Sequence, residues 1–298
     1  MRVRHLVLLT LSLALLAPMS ASASTLIDRN ASGVTLKVSK SGQALLSYKA
    51  RGKQWNVIAW GALNALKPTP VGKQVDFKID YSGGWGTTKR DVWKTLKNTC
   101  KPYTGPPLAW KVTACTAPDG SHWGVQAWQR MLPNYGLSPT PKQAVWELRL
   151  SHWTGELPTL TVNTNWAYRK FDHLFGSFAY DGTPVHGFRS TAGGNPLDSF
   201  GRNLYVDTFD SAYGAGWKRE NSFLMHKNTE TFCYGFYPHG NRPAGHGERY
   251  RATIIGPGVT PDVMWQGVSP GAYDESLDRQ LADTQRATYG SDRLCKAV

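Results

Sequence analysis

Hydrolysis of a glycosidic bond needs one carboxyl group to protonate the leaving oxygen and a second to act as base or nucleophile. Their separation is roughly 5 Å in retaining enzymes and roughly 6.5–9.5 Å in inverting ones. Asp198, Asp207, Asp210 and Glu220 concentrate acids in one Gly- and Tyr-rich stretch. Asp207 there, and Glu147 upstream, are the candidate catalytic carboxylates of a polysaccharide hydrolase or lyase. The competing expectation for Asp207 is an ion pair, because a hairpin centred near Tyr213 sets it opposite Arg219. Calcium is poorly supported at Asp207 and Asp210, since two aspartates fall far short of the roughly six to eight oxygens that ion takes.

Binding chemistry has a second set of candidates. Counting outward from the Asp119-Gly120 turn, Trp110, Val112 and Ala114 share a face with Trp123, Val125 and Ala127 and read as core. The opposite face carries Lys111, Thr113, Gln126, Trp128 and Arg130. Glu147, Arg149, Ser151 and Trp153 follow on the next strand, and Thr161, Asn163 and Asn165 on the one after. If these strands form a meander, one sheet face displays two tryptophans among amide, guanidinium and carboxylate groups. Indole faces stack on the C–H face of a sugar ring while the polar groups satisfy its hydroxyls. The expected ligand-binding set is therefore Gln126, Trp128, Arg130, Glu147, Arg149, Trp153, Asn163 and Asn165. The alternative is a solvated face, or one whose tryptophans a loop or the C-terminal helix covers.

The elements that would hold these residues are strands. The period is 2 almost throughout, punctuated by Gly, Pro, Asn and Asp. Val34, Leu36 and Val38 alternate with Thr35, Lys37 and Ser39, and Ser41-Gly42 and Arg51-Gly52-Lys53 mark the next turns. Asp119-Gly120 and Asp181-Gly182 are strong hairpin signals, the second setting Phe175 opposite Phe188. Only residues 273–288 read as a helix, with Leu277 and Leu281 four apart. The pattern implies an all-β fold, an antiparallel β-sandwich of jelly-roll or lectin-like type with a short C-terminal α-helix. No composition break divides residues 24–298, which read as one domain.

Residues 1–23 read as a signal peptide: Arg2, Arg4 and His5, an apolar run from Leu6 to Ala17, then Ala21-Ser22-Ala23 as the cleavage motif. That run is too short to span a bilayer. Cleavage after Ala23 removes Arg2 and Arg4, so the +13 of the full chain falls only to +11. The positive charge is spread rather than clustered, which favours long-range attraction to anions over a specific nucleic-acid reader. Cys100, Cys115, Cys233 and Cys295 are an even number in an exported chain and read as two disulfides, with Cys100–Cys115 and Cys233–Cys295 the favoured pairing.

HExxH, GxSxG and GxxxxGK[ST] are absent, so zinc-hydrolase, α/β-hydrolase and nucleotide-binding readings lose their motifs. His239 and His246 flank a Gly/Pro-rich loop with Arg242 and Arg249 and read as surface residues. His152 and Ser151 point to opposite faces of a strand and cannot form a nucleophile–base pair. No residue pattern demands a metal or cofactor. Asp80-Tyr81-Ser82-Gly83-Gly84-Trp85, Tyr103-Thr104-Gly105-Pro106-Pro107, residues 151–158 and Gly256-Pro257-Gly258-Val259-Thr260-Pro261 resemble a group of exported bacterial proteins with no assigned activity. The resemblance covers most of the mature chain and implies export alone. The leading expectation is a secreted protein that binds an extracellular polysaccharide or anionic envelope polymer. A hydrolase or lyase, or a structural or protein-interaction role in the envelope, stands beside it.

Overall fold

The structure is a computed structural model and describes residues 24–66, 74–130, 145–167, 171–184, 202–211, 214–225, 231–236, 248–269, 271 and 273–289. It is all-β: strands make up 53% of the chain and form four antiparallel sheets. Numbered in chain order, the first sheet runs β1 (Thr25–Arg29), β9 (Val145–Trp153), β8 (His122–Arg130), β7 (Lys111–Thr116), β6 (Lys101–Pro102). The second runs β2 (Ser32–Val38), β3 (Ala44–Ala50), β4 (Lys53–Trp60), β5 (Lys78–Asp80). In the third, β10 (Thr159–Ala167) pairs one edge of β11 (Phe171–Tyr180), whose other edge takes β12 (Thr183–Pro184) and β15 (Thr231–Phe236). The fourth runs β14 (Gly214–Met225), β13 (Arg202–Ser211), β16 (Arg249–Ile254), β17 (Val263–Val268). Helices α1 (Trp85–Thr88) and α2 (Val92–Thr95) are single turns, and α3 (Glu275–Tyr289) lies against β10.

The local chemistry of the turns explains the hairpins. Arg51 and Gly52, and likewise Asp181 and Gly182, all take positive φ, the backbone of a type I′ turn that matches strand twist. At Asp119-Gly120 only the glycine does so, and Asp119 Oδ1 accepts from both N and Oγ of Ser121. The connection spans three residues, Ala117 N donating to the Ser121 carbonyl, so Thr113 and Cys115 stand opposite Val125 and Trp123, and a β-bulge follows between Lys111 and Thr113. Val112, expected inside, is exposed. The Cys100–Cys115 disulfide forms as expected, with Cα atoms 5.7 Å apart. It contributes about 3 kcal/mol by closing a short loop in the unfolded chain. Cys295 and Phe188 lie outside the described residues, as does the expected Cys233–Cys295 bridge. The helix expected over 273–288 spans Glu275–Tyr289, with Asp274 Oδ1 accepting from N of Ser276 and Leu277 at its start.

Two apolar clusters hold the sheets in pairs. Trp123, Val125, Leu148 and Leu150 of the first sheet pack on Leu46, Tyr48, Val57 and Ala59 of the second. Val162, Leu174 and Phe178 of the third pack on Leu204, Val206, Ala252 and Ile254 of the fourth. The two pairs meet through the remaining faces of the first and fourth sheets, where Trp128 contacts Tyr205 edge-on at 5.1 Å and Arg219 Nη2 donates to the Gln129 carbonyl at 3.0 Å. That central interface is polar and charged, where the outer two are apolar.

Candidate functional site

Alternation along β8 and β9 puts Gln126, Trp128 and Arg130 on one face with Glu147, Arg149 and Trp153; Gln126 stands opposite Arg149 and Trp128 opposite Glu147. The common facing expected for these six is present, but its exposure is not. Gln126, Glu147 and Trp153 are wholly buried, with Trp128 and Arg149 nearly so. The face looks into the central interface, where Gln126, Trp128, Glu147 and Arg149 spend their hydrogen bonds. Gln126 donates to the carbonyls of Ala109 and Asp262 and accepts from Asp262 N at 2.9 Å. Trp128 Nε1 donates to Asp262 Oδ2 at 2.6 Å. Trp153 packs instead on His122, Tyr103 and the open side of Gly124. Asn163 and Asn165 belong to another sheet, because β1 takes the free edge of β9 and the chain leaves through Gly155, at positive φ, to pair β10 with β11. The open ligand face is therefore withdrawn: sheet covers sheet where a polymer was expected.

Both candidate carboxylates lie in the same interface. Glu147 takes Arg149 Nη2 at 2.7 Å, Arg130 Nη1 at 3.0 Å and Arg29 Nη2 at 3.6 Å. Burial alone would push its carboxyl up, but the Arg149 and Arg130 guanidinium groups hold it below the usual range. Asp207 stands opposite Arg219 as the hairpin arithmetic requires, with Arg219 Nε at 2.5 Å and Arg251 Nη2 at 2.7 Å. The Arg251 guanidinium is itself sandwiched between Trp110 at 4.4 Å and Trp217 at 4.3 Å. Neither carboxylate is placed to give or take a proton from a polymer. Asp210 is exposed and accepts from Gly216 N at 2.6 Å. Asp198, His239 and His246 lie outside the described residues. Among the described residues no cluster of His, Cys, Asp and Glu could hold a metal ion.

Sequence reading missed one nucleophile–base contact. His152 Nε2 lies 2.9 Å from Ser121 Oγ, and its Nδ1 is 2.5 Å from the Ala62 carbonyl, which can only accept. Nδ1 thus carries the proton and Nε2 is free to accept. Asp119 Oδ1 competes for the one hydroxyl proton at 2.6 Å, and Ser121 and the ring of His152, stacked on Trp123 at 3.9 Å, are buried. With no room for an acyl group at Ser121 Oγ, the constellation ties the hairpin turn to the Ala62 loop. Burial holds the His152 imidazole below its ordinary range, and the partly buried His122 likewise. The unfolded chain then binds more protons, so stability is full above the unfolded value of about 6.5 and is lost as pH falls below it. His152→Gln should flatten that part of a melting-temperature profile recorded between about pH 8 and pH 5.

One concave, aromatic site is open to solvent. Lys53, Gln54, Trp55, Asn56, Tyr81, Ser82 and Trp93 line a depression of about 280 Å³. It follows the edge of β4, which β5 pairs only from Ile58 to Trp60. In the type I′ hairpin Lys53 and Trp55 bond back to β3, so the backbone groups of Gln54 and Asn56 turn toward the free edge. The opposite wall folds back through Gly83 and Gly84, both at positive φ. A Cβ on Gly83 would sit 2.5 Å from Trp93 Cδ1, and one on Gly84 2.5 Å from Val92 Cγ2. Trp93 N donates to the Gly83 carbonyl, and the Asp80 carboxylate accepts from Ser82 and from Thr87 N, which holds it down at about 2. Tyr81 is 43% exposed, Trp93 37% and the adjacent Trp85 56%. Arg51 lies over Trp55 at 4.7 Å and Lys94 over Trp93 at 5.3 Å, each also paired with a carboxylate, Asp28 and Asp91 respectively. No known protein family, curated protein or solved structure matches the chain, so this site stands on its geometry.

Proposed function

We propose that the protein is exported and binds an extracellular polysaccharide or anionic envelope polymer in the groove along β4. The first two sheets serve in this reading as a lectin-like sandwich that carries it. The supporting observation is the open depression in which Trp55, Tyr81 and Trp93 converge with Lys53, Gln54, Asn56 and Ser82. Aromatic walls with a few directional polar groups are the composition of a small-ligand site. Indole and phenol faces take the C–H face of a sugar, and the amides, hydroxyl and ammonium take its oxygens. The volume suits a short stretch of a chain whose remainder crosses the surface, and the Lys53 ammonium in the lining favours acidic units. No helix among the described residues is long and apolar enough to cross a membrane, which accords with action outside the cell.

The test is depletion of the purified protein by insoluble and immobilised polysaccharides at about 50 mM and about 500 mM salt, the second screening ionic attraction. Salt-resistant, polymer-specific depletion is expected. Trp93→Ala and Tyr81→Ala should each weaken it about tenfold or more, the loss of about 1.4 kcal/mol of stacking, with melting temperatures near the parent's. Retention only at low salt assigns the binding to net charge. Equal retention of parent and variants places any binding elsewhere, and none on any polymer shifts the reading to a protein partner.

A further inference from the structure

Among the described residues, Asp262 is the buried carboxylate of the central interface with no guanidinium within hydrogen-bond distance. Glu147 and Asp262 have fully buried side chains, and Arg149 is the buried guanidinium between them. Glu147 is also met by Arg130 and Arg29, whereas Asp262 has Arg149 Nε at 3.8 Å, a group already bonded to Glu147 Oε2 at 3.1 Å. Asp262 nonetheless behaves as an acceptor, taking Trp128 Nε1 at 2.6 Å, Gly256 N at 3.1 Å and the Ser24 hydroxyl. Ser24 is buried, donates its Oγ proton to Asp262 Oδ1, and offers its carbonyl to Arg149 Nη1 at 2.8 Å. It is also the residue that follows Ala21-Ser22-Ala23.

We infer that cleavage between Ala23 and Ser24 creates a close cation for Asp262, the new α-ammonium of Ser24 seated beside its carboxylate, so that removal of the leader stabilises the interface. Hydrolysis of that one peptide bond leaves the Ala23 carboxylate on the leader and the protonated amine on Ser24, water being the only co-reactant. The backbone nitrogen is three bonds from Oγ, hence about 3–4 Å from the atom that contacts the carboxylate. The backbone agrees. Ser24 has φ 27°, a strained value for a residue with a Cβ, and the constraint vanishes when no carbonyl precedes its nitrogen. A buried carboxylate gains far more from a close ammonium than a surface one does. In the uncleaved chain the same nitrogen is a neutral amide and Asp262 stays undercompensated, as burial's upward push on its carboxyl indicates.

Amino-terminal sequencing and intact mass of the exported protein should give a chain beginning at Ser24. Its α-amine, treated with an amine-acylating reagent, should react at least tenfold more slowly in the native than in the denatured protein. A refolded chain beginning at Ala23 keeps every Ser24 side-chain contact and lacks only the ammonium there. It should melt about 5–10 °C lower, and in an Asp262→Asn background the added residue should make no further difference. A native amine as reactive as the denatured one overturns the inference. So does a start elsewhere than Ser24, or equal melting of chains beginning at Ala23 and at Ser24. None of these outcomes depends on polymer binding.

Discussion

Asp207→Ala is expected to cost about 3–5 kcal/mol, a fall in melting temperature on the order of 10 °C, where a surface ion pair would cost under about 1 kcal/mol. The reason is what stays behind. Arg219 and Arg251 both point at Asp207 from neighbouring strands, and the Arg251 Nε and Nη2 donors share Oδ2 at 2.9 and 2.7 Å. Without the carboxylate, two guanidinium groups face each other in a nearly water-free interface, and the stack of Trp110, Arg251 and Trp217 loses its anchor. Asp207→Asn keeps the shape and part of the hydrogen bonding, so its loss should fall between those of alanine and wild type. Urea or thermal unfolding measures both. Polymer depletion by the fraction that stays folded should be unchanged, because the groove along β4 is built from other sheets. A parent-like melting temperature for Asp207→Ala would mean that the central interface contributes little to cohesion.

Particular residues show what the amino-acid order reveals and what it hides. Period 2 places Trp128 with Glu147 and Arg149 on one face, and the turn near Tyr213 sets Asp207 against Arg219; both are local consequences of strand geometry. Burial of that face is not local. A strand with polar side chains on one side reads the same whether water covers it or a second sheet with complementary charges does. Here the cover comes from Tyr205, Arg219 and Asp262, far along the chain. The facing of β7 was hidden for a related reason, since one extra residue in the turn flips every side chain of the paired strand without changing composition. The β4 groove was missed because its walls come from separate segments, Trp55 on a strand and Trp93 on a single helical turn. The pair Gly83-Gly84 was its available signal: two adjacent glycines mark a close approach of chain to side chain. Asn163 and Asn165 were joined to the wrong sheet because strand order depends on which edge the distant β1 occupies.

Glu147 gives the second large effect and separates two chemistries. A catalytic carboxylate replaced by glutamine loses turnover and keeps its fold, whereas this one holds three arginines from three strands. Glu147→Gln should cost about 1.5–3 kcal/mol, the range of a hydrogen bond to a charged group, and Glu147→Ala about 3–5 kcal/mol because buried Arg149 is left with fewer acceptors. The carboxyl is held below its ordinary range, so its contribution is complete above the unfolded value of about 4.5 and disappears as pH falls further. Acid unfolding of the parent should therefore steepen below that pH, and the Gln variant should lack the extra slope. Replacing both partners distinguishes charge balance from packing. Glu147→Leu with Arg149→Met removes the anion and its nearest cation together, and should be more stable than either single variant, a positive coupling read directly from a double-mutant cycle. If the single losses simply add, the two groups do not act as a pair. The contacts at 2.7 and 3.1 Å between them would then hold no energy of their own.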